Sequence, residues 1–181
     1  MKKLIIPAAL LMSTFFSCKE KEPEETKTTA SDEKVVLPME MEYSSKAEIG
    51  SSANMVKVMQ WNKWMGEGKI DSAASYLADS VHIILNDGTE FNTTADSIKK
   101  VLTGWRAAMK TADIKYIYAM PVTMIDKKHE WVFSWTDETY TYNDGKKEHM
   151  FIHEDYRMEN GKIREVLQYG QKEMPPPPPK K

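Results

Sequence analysis

The chain holds a single cysteine, Cys18, among its 181 residues, so no disulfide can close within it and stability must come from a packed core. Its longest apolar run, residues 4–12, is too short to cross a bilayer as a helix. Glycine is scarce, with 8 residues, and none belongs to a phosphate-cradling loop or a nucleophile elbow. Positive charge is not in excess either: the formal net charge is −2 and no basic stripe is present. Nucleic acid is therefore not an expected partner. His149 and His153 are four residues apart, but on a strand they would stand about 13 Å from one another, too far to share one ion. No metal and no other cofactor is expected.

What is present begins at the amino terminus. Lys2 and Lys3 precede the apolar run, and residues 13–17 lead to Cys18, the charged, apolar and cleavage order of a secretory signal. A cysteine directly after the small Ser17 resembles the lipobox of bacterial lipoproteins, although Phe15 and Phe16 depart from that pattern. Two readings follow: acylation of Cys18, or an ordinary signal with an incidental cysteine. Acyl chains anchor because each buried methylene contributes roughly 0.8 kcal/mol. Cleavage after residue 17 removes Lys2 and Lys3 and no acidic residue, taking the formal charge from −2 to −4.

Residues 19–34 are charged and polar, with almost nothing to bury, and should stay a flexible tether. The acidic cluster Glu20, Glu22, Glu24 and Glu25 resembles the surface-export tract of some Gram-negative lipoproteins; a solvated spacer is the alternative. The expected organisation is a signal over 1–17, an acylated cysteine and tether over 18–50, a domain over 51–171 and a proline-rich tail over 172–181. The expected place is the cell envelope, at the outer membrane, with the membrane a partner through Cys18. Five prolines from Pro175 to Pro179 favour an extended polyproline II tail.

Within the domain, Met55, Val58, Trp61 and Met65 fall at helical spacing behind a cap at Ser52, and Gly66 and Gly68 stop that helix. A short helix follows from Asp71, then a β-branched strand over 81–85 and a turn at Asn86-Asp87-Gly88. Thr94 caps a third helix in which Ile98, Val101, Leu102, Trp105 and Met109 share a face. Strand-like segments follow over 113–122, 131–142, 147–158 and 163–169. The Asn143-Asp144-Gly145 and Asn160-Gly161 turns predict that the last three form an antiparallel meander. Helices first and strands after give an α+β domain.

That order resembles the nuclear-transport-factor-2-like superfamily, which includes ketosteroid isomerases and SnoaL-like polyketide cyclases. The segments that carry the resemblance are Gly68-Lys69-Ile70-Asp71, Tyr76-Leu77-Ala78-Asp79-Ser80-Val81, and Asp155 through Ile163 at the last hairpin. It implies a cone-shaped half barrel, a curved antiparallel sheet closed by three N-terminal helices around an apolar pocket, with dimerisation through the outer sheet face. For an isomerase it further implies a base, a tyrosine donor and an acid, which align with Leu85, Trp61 and Glu154. Leucine cannot take a proton, so the isomerase mechanism fails at that position. Trp61 keeps an N–H, and Glu154 keeps a carboxyl.

By period-two alternation Glu154 shares a strand face with Met150, Ile152, Tyr156 and Met158, where lost hydration should raise its pKa toward that of a general acid. Pairing with Arg157, Arg164 or a lysine would cancel the effect. His82, on the first predicted strand, is a candidate base, but its parity is opposite to that of Leu85. Trp131, Phe133 and Trp135 share one strand face and, with Trp61, Trp105 and Tyr156, either wall a pocket for a flat apolar ligand or simply fill the cone or the dimer face. Three functions stay open: a lipid-anchored domain that binds a small apolar ligand or a protein partner without isomerase chemistry; an isomerase or cyclase with Glu154 as acid and His82 or water as base; or a structural, homodimer-forming module.

Overall fold

The computed structural model describes residues 38–41, 46–125 and 129–172. The expected signal, Cys18, most of the tether and the proline-rich tail lie outside the described residues. Two units are distinguished, Met1–Met39 and Glu40–Lys181. In the first, only a bend at Pro38 and Met39 is described, and the architecture that follows belongs to the second.

Its elements run β1 (Ala47–Ile49), α1 (Ser52–Glu67), α2 (Ile70–Ala74), β2 (Leu77–Ile84), β3 (Glu90–Thr94), α3 (Ala95–Ala107), β4 (Met109–Met124), β5 (His129–Tyr142), β6 (Lys147–Glu159) and β7 (Lys162–Gln171). The fold is α+β, as the sequence predicts. On α1 the apolar spacing puts Val58, Trp61 and Met65 in the interior, where each large side chain contributes about 1.5–3 kcal/mol by burial. The helix ends at Gly68, whose φ of 74° is left-handed and whose N–H returns to Met65 O at 3.2 Å. A side chain would be strained there. Ser51, rather than the predicted Ser52, occupies the first cap position, without a side-chain cap bond. Thr94 does cap α3, its Oγ1 accepting from Ser97 N at 3.3 Å.

All seven strands form one curved, unclosed sheet in the order β1-β4-β5-β6-β7-β2-β3. The predicted meander is β5, β6 and β7, turned at Gly145 and at Asn160-Gly161, which all have positive φ. The sheet is mixed rather than wholly antiparallel, because β2 pairs with β7 in parallel. The reason is local: Ile163 N donates to Tyr76 O at 2.8 Å, so both strands start from the same end. Two short strands, β1 and β3, were not predicted. β1 has three residues and β3 alternates polar with half-buried positions, which leaves little apolar period to read. Register shifts on β4, at Met109/Thr111 and Tyr116/Tyr118, and between β6 and β7 at Arg157/Met158 bend the sheet.

The buried residues form two apolar clusters. The larger joins Val58, Trp61 and Met65 of α1 to Val81, Val132 and Tyr156 of the sheet, among others. The smaller is made of Met109, Ala112, Tyr140, Met150 and Ile152, with Tyr142 packed against it. Between them lies the feature that matters most for function.

Candidate functional site

Strand alternation carries a polar belt across the interior. On β5 the inward series runs Val132, Ser134, Thr136, Glu138, Tyr140, and all five are buried. Val132 belongs to the larger cluster and Tyr140 to the smaller, so the three polar residues fill the gap between clusters. On β6 the inward series is Met150, Ile152, Glu154, Tyr156, Met158, and Glu154 faces Ser134 directly across the ladder. From α1, Asn62 enters the same layer.

Every carboxyl oxygen in the belt is bonded. Glu154 accepts from Gln168 Nε2 at 3.0 Å and from the Tyr156 hydroxyl. Glu138 accepts from Thr136 Oγ1 at 2.6 Å and from the Tyr140 hydroxyl. Asn62 links two tyrosines: its Oδ1 accepts from the Tyr156 hydroxyl at 3.0 Å and its Nδ2 donates to the Tyr116 hydroxyl at 2.8 Å. Among the described residues, no lysine, arginine or histidine pairs with either carboxyl, so the pairing with Arg157 or Arg164 that would have neutralised Glu154 does not occur. Arg157 binds Glu165 at 2.8 Å and Arg164 approaches Glu159 at 3.7 Å instead.

Without a cation, burial dominates. Loss of hydration, reinforced by the charge of Glu138, pushes the Glu154 carboxyl up to about 7, against the opposing bonds from Tyr156 and Gln168. Burial raises the Glu138 carboxyl as well, opposed by its bonds from Thr136 and Tyr140. The phenols of Tyr116, Tyr140 and Tyr156 are all held above their usual range, first by burial and then by the neighbouring carboxylates. They therefore remain hydrogen donors at any physiological pH.

The hydrogen count favours a protonated Glu154. A hydroxyl has one hydrogen to give, yet Tyr156 reaches two acceptors, Asn62 Oδ1 and Glu154 Oε2. If the carboxyl carries the proton, it donates to the Tyr156 oxygen, Tyr156 donates to Asn62, and Asn62 donates to Tyr116. Tyr156 then has one acceptor for its one hydrogen.

The other predicted site residues divide by sheet face. Trp61 and Tyr156 are buried in the larger cluster, and Leu85 packs half-buried against it. Trp105 lies edge-on to Tyr140, with ring centroids 5.6 Å apart and planes at 82°, on the Glu138 side of the belt. Trp131, Phe133 and Trp135 have the opposite parity to Ser134 and stand on the outer face. There Phe133 and Trp135 adjoin His153, at 6.5 and 5.6 Å, and His153 adjoins Tyr169 at 6.0 Å. They do not wall the cone, which corrects the expectation for these three. His82 is on the outer face too, with Nδ1 2.8 Å from Glu165 and Nε2 2.9 Å from Glu90. It is not available as a base for the belt.

Ser134, Thr136, Glu138 and Asn62 are belt residues that sequence reasoning missed as a site. The polar alternation at 134, 136 and 138 is the signal for them, but the aromatic alternation at 131, 133 and 135 competes with it as an inward face. Among the described residues, no group of three or more His, Cys, Asp or Glu is placed to hold a metal ion. Two hollows open at the surface, of about 400 and 380 Å³. The first is lined by Ala108, Tyr142, Asn143, Asp144 and Lys146, the second by Asp96, Lys99, Lys100 and Thr103.

No family model and no curated protein matches the sequence. Solved structures do match the fold. An LEH-like epoxide hydrolase of M. tuberculosis aligns with a TM-score of 0.56 at 9% identity, over 67% of this chain and 84% of its own. A protein of Kribbella flavida described as a candidate ketosteroid isomerase aligns with a TM-score of 0.55 at 10% identity, over 72% of this chain and 86% of its own. The chain has the nuclear-transport-factor-2-like fold. A third neighbour, from Exiguobacterium, is a nuclear-transport-factor-2-like protein of unknown function, aligned with a TM-score of 0.55 at 16% identity over 65% of this chain and 99% of its own. At such identities the shared property is the cone, and function has to be argued from the belt inside it.

Proposed function

We propose that this chain is an exported lipoprotein, acylated at Cys18, whose nuclear-transport-factor-2-like domain carries out proton transfer on a small, mostly apolar molecule. The observation behind the chemistry is the pair Glu154 and Glu138, two carboxyls buried in one interior with no cation beside them among the described residues. Burial raises both carboxyls, and the charge of Glu138 further raises the cost of ionising Glu154. In this reading Glu154 serves as the acid and Glu138 as the base. Glu154, poised at about 7, gives its proton to a substrate oxygen while the Glu138 carboxylate accepts one from carbon, which yields an enol; Glu138 then returns a proton to carbon as the enol hydroxyl returns its proton to Glu154. Neighbours named as an epoxide hydrolase and a candidate isomerase fit a cone that hosts acid–base chemistry. In this reading Glu138 takes the part first expected of His82 or water.

The test is hydrogen–deuterium exchange next to the carbonyl of small aryl ketones in deuterated buffer. Exchange should be faster with the full chain than without it, and should fall at least a hundredfold in Glu154→Gln, the scale on which a positioned acid acts. Equal exchange in the wild type and Glu154→Gln would sink the reading. A binding role without chemistry is the second reading, supported by Leu85 standing where the resemblance places the isomerase base.

For the location, the support is the order of charge, apolar run, Ser17 and Cys18. Cells fed a labelled fatty acid should label the wild-type chain and not Cys18→Ser, and only the labelled form should sediment with outer membranes.

A further inference from the structure

The apolar stripe of α3 is only partly used by the fold. Ile98 is buried, whereas Val101 and Trp105 on the same stripe are 43% and 36% exposed. Ala108 lies three residues beyond Trp105, so Val101, Trp105 and Ala108 form one ridge along the helix. Beside it, nothing lies within 4 Å of where a side chain on Gly104 would begin. The ridge runs into the hollow lined by Ala108, Tyr142, Asn143, Asp144 and Lys146. The turn that borders this hollow is held to the helix end, since Asn143 Nδ2 donates to Ala107 O at 2.8 Å and Asn143 N to Ala108 O at 3.1 Å. Trp105 stands edge-on to Tyr140, the next residue inward from Tyr142 on the same face of β5. The indole and the Tyr142 ring therefore flank one rim.

The chain arrives at this rim with the last described residue. Lys172 Nζ lies 3.5 Å from Glu148 Oε1, and the other oxygen of that carboxylate accepts from the Tyr142 hydroxyl at 2.8 Å. Lys172 is thus held beside Tyr142, and the sequence continues through Glu173, Met174, five prolines from Pro175 to Pro179, Lys180 and Lys181. Consecutive prolines favour polyproline II, which docks in grooves lined by aromatic rings. The lengths agree: five prolines span about 15 Å, and the ridge from Ala108 to Val101 is about 10 Å long. The charges agree at the start of the segment, where Glu173 follows Lys172 directly and Lys146, a wall of the hollow, stands 5.9 Å from the Tyr142 ring centroid. We infer that residues 173–181 fold back as a strap, with Glu173 on Lys146 and the prolines laid over Tyr142, Trp105 and Val101. Proline carbonyls have no internal partner in this conformation, so the Trp105 N–H has an acceptor there. Trp105 touches Tyr140, and Tyr140 donates to Glu138, so the strap lies over the Glu138 side of the belt. Its docking does not depend on the belt being catalytic.

The experiment uses the full chain with carbon-13-labelled proline. Nuclear Overhauser contacts should join proline side-chain protons to the Trp105 indole and the Tyr142 ring, the former assigned by their loss in Trp105→Phe. A chain shortened to end at Lys172 should lack these contacts. It should also bind an N-acetylated synthetic peptide of residues 173–181 with a Kd of about 0.1–1 mM, an affinity that tethering at millimolar effective concentration turns into a mostly docked strap. Lys146→Glu should weaken that peptide by about two- to fivefold, the worth of one exposed ion pair. A peptide carrying Glu173→Lys should regain the loss on Lys146→Glu, which a distorted turn would not allow. Lys146 is a turn residue outside both apolar clusters, so this pair of variants reads the contact even if Trp105→Phe lowers stability. The strap is overturned if the full chain shows no contact between proline and Trp105 or Tyr142, if the shortened chain ignores the peptide at millimolar concentration, or if the charge exchange rescues nothing. Contacts seen only between a labelled and an unlabelled copy would give the ridge to a second copy and overturn the strap within one chain.

Discussion

Glu138 lies on β5 four residues beyond Ser134, the cross-strand partner of Glu154, and its charge is the second-largest cause, after burial, of the raised Glu154 pKa. The relation is a physical lever on the site. Replacing Glu138 with glutamine keeps its shape and removes its charge, so Glu154 should ionise more easily, with a titration midpoint below about 7. Carbon-13 NMR of the side-chain carboxyls would follow it directly. A midpoint unchanged in Glu138→Gln would mean that burial alone sets the acidity and that the two carboxyls do not work as a pair.

Stability should carry the same signature. The folded carboxyl of Glu154 sits at about 7 against an ordinary 4.5, so the folded chain binds more protons than the unfolded chain between those values. Stability therefore falls as pH rises through that window and levels off above it. A shift of this size corresponds to roughly 3 kcal/mol at full development. Glu154→Gln, which never ionises, should gain on the wild type between pH 5 and pH 8, by up to about that amount. Urea melts at the two pH values measure the difference, and a constant gap would show that Glu154 is not the group that titrates.

The helices and the meander were legible because their signals are local: Val58, Trp61 and Met65 at helical spacing, the cap at Thr94, the glycine turns between strands. Glu154 was legible too, since four of its face neighbours are bulky and largely apolar. Glu138 was not, and the reason is instructive. On β5 both faces carry aromatic or polar residues that end up partly or wholly buried, so hydropathy does not tell inside from outside. Pairing does: once Glu154 is placed inward, the β5–β6 register puts Ser134, and with it Thr136 and Glu138, on the same side. The wall assigned to Trp131, Phe133 and Trp135 failed for want of that one step. The parallel neighbour of β7 was harder still, because no turn joins it to β2.

On the outer face, His82 gives an independent pH handle. Its bond to Glu165 raises the imidazole pKa, burial opposes the shift, and the bond to Glu90 adds to it. A raised histidine pKa stabilises the fold below the unfolded value of about 6.5, and the contribution is lost as pH rises through the folded value. His82→Gln should therefore destabilise more at about pH 5.5 than at about pH 9. Thermal melts at both pH values check it, and an equal loss at both would mean that packing, rather than charge, accounts for the effect of the substitution.

The same face bears on assembly. Tyr118 and Tyr169 are 45% and 56% exposed, and with Trp135 and His153 they form a line of rings across β4, β5, β6 and β7. We propose that a second copy of the chain docks here, because a contiguous patch of large exposed rings is stabilised when it is covered. Tyr169→Glu would place a charge in the middle of such an interface on each copy, two like charges brought together by the symmetry of a dimer. Sedimentation velocity should then show the wild type at twice the monomer mass and the variant at the monomer mass. The fold should be intact, because Tyr169 faces away from the belt, and the Glu154 titration gives the control. A wild type that sediments as a monomer at tens of micromolar would leave the aromatic face without this partner.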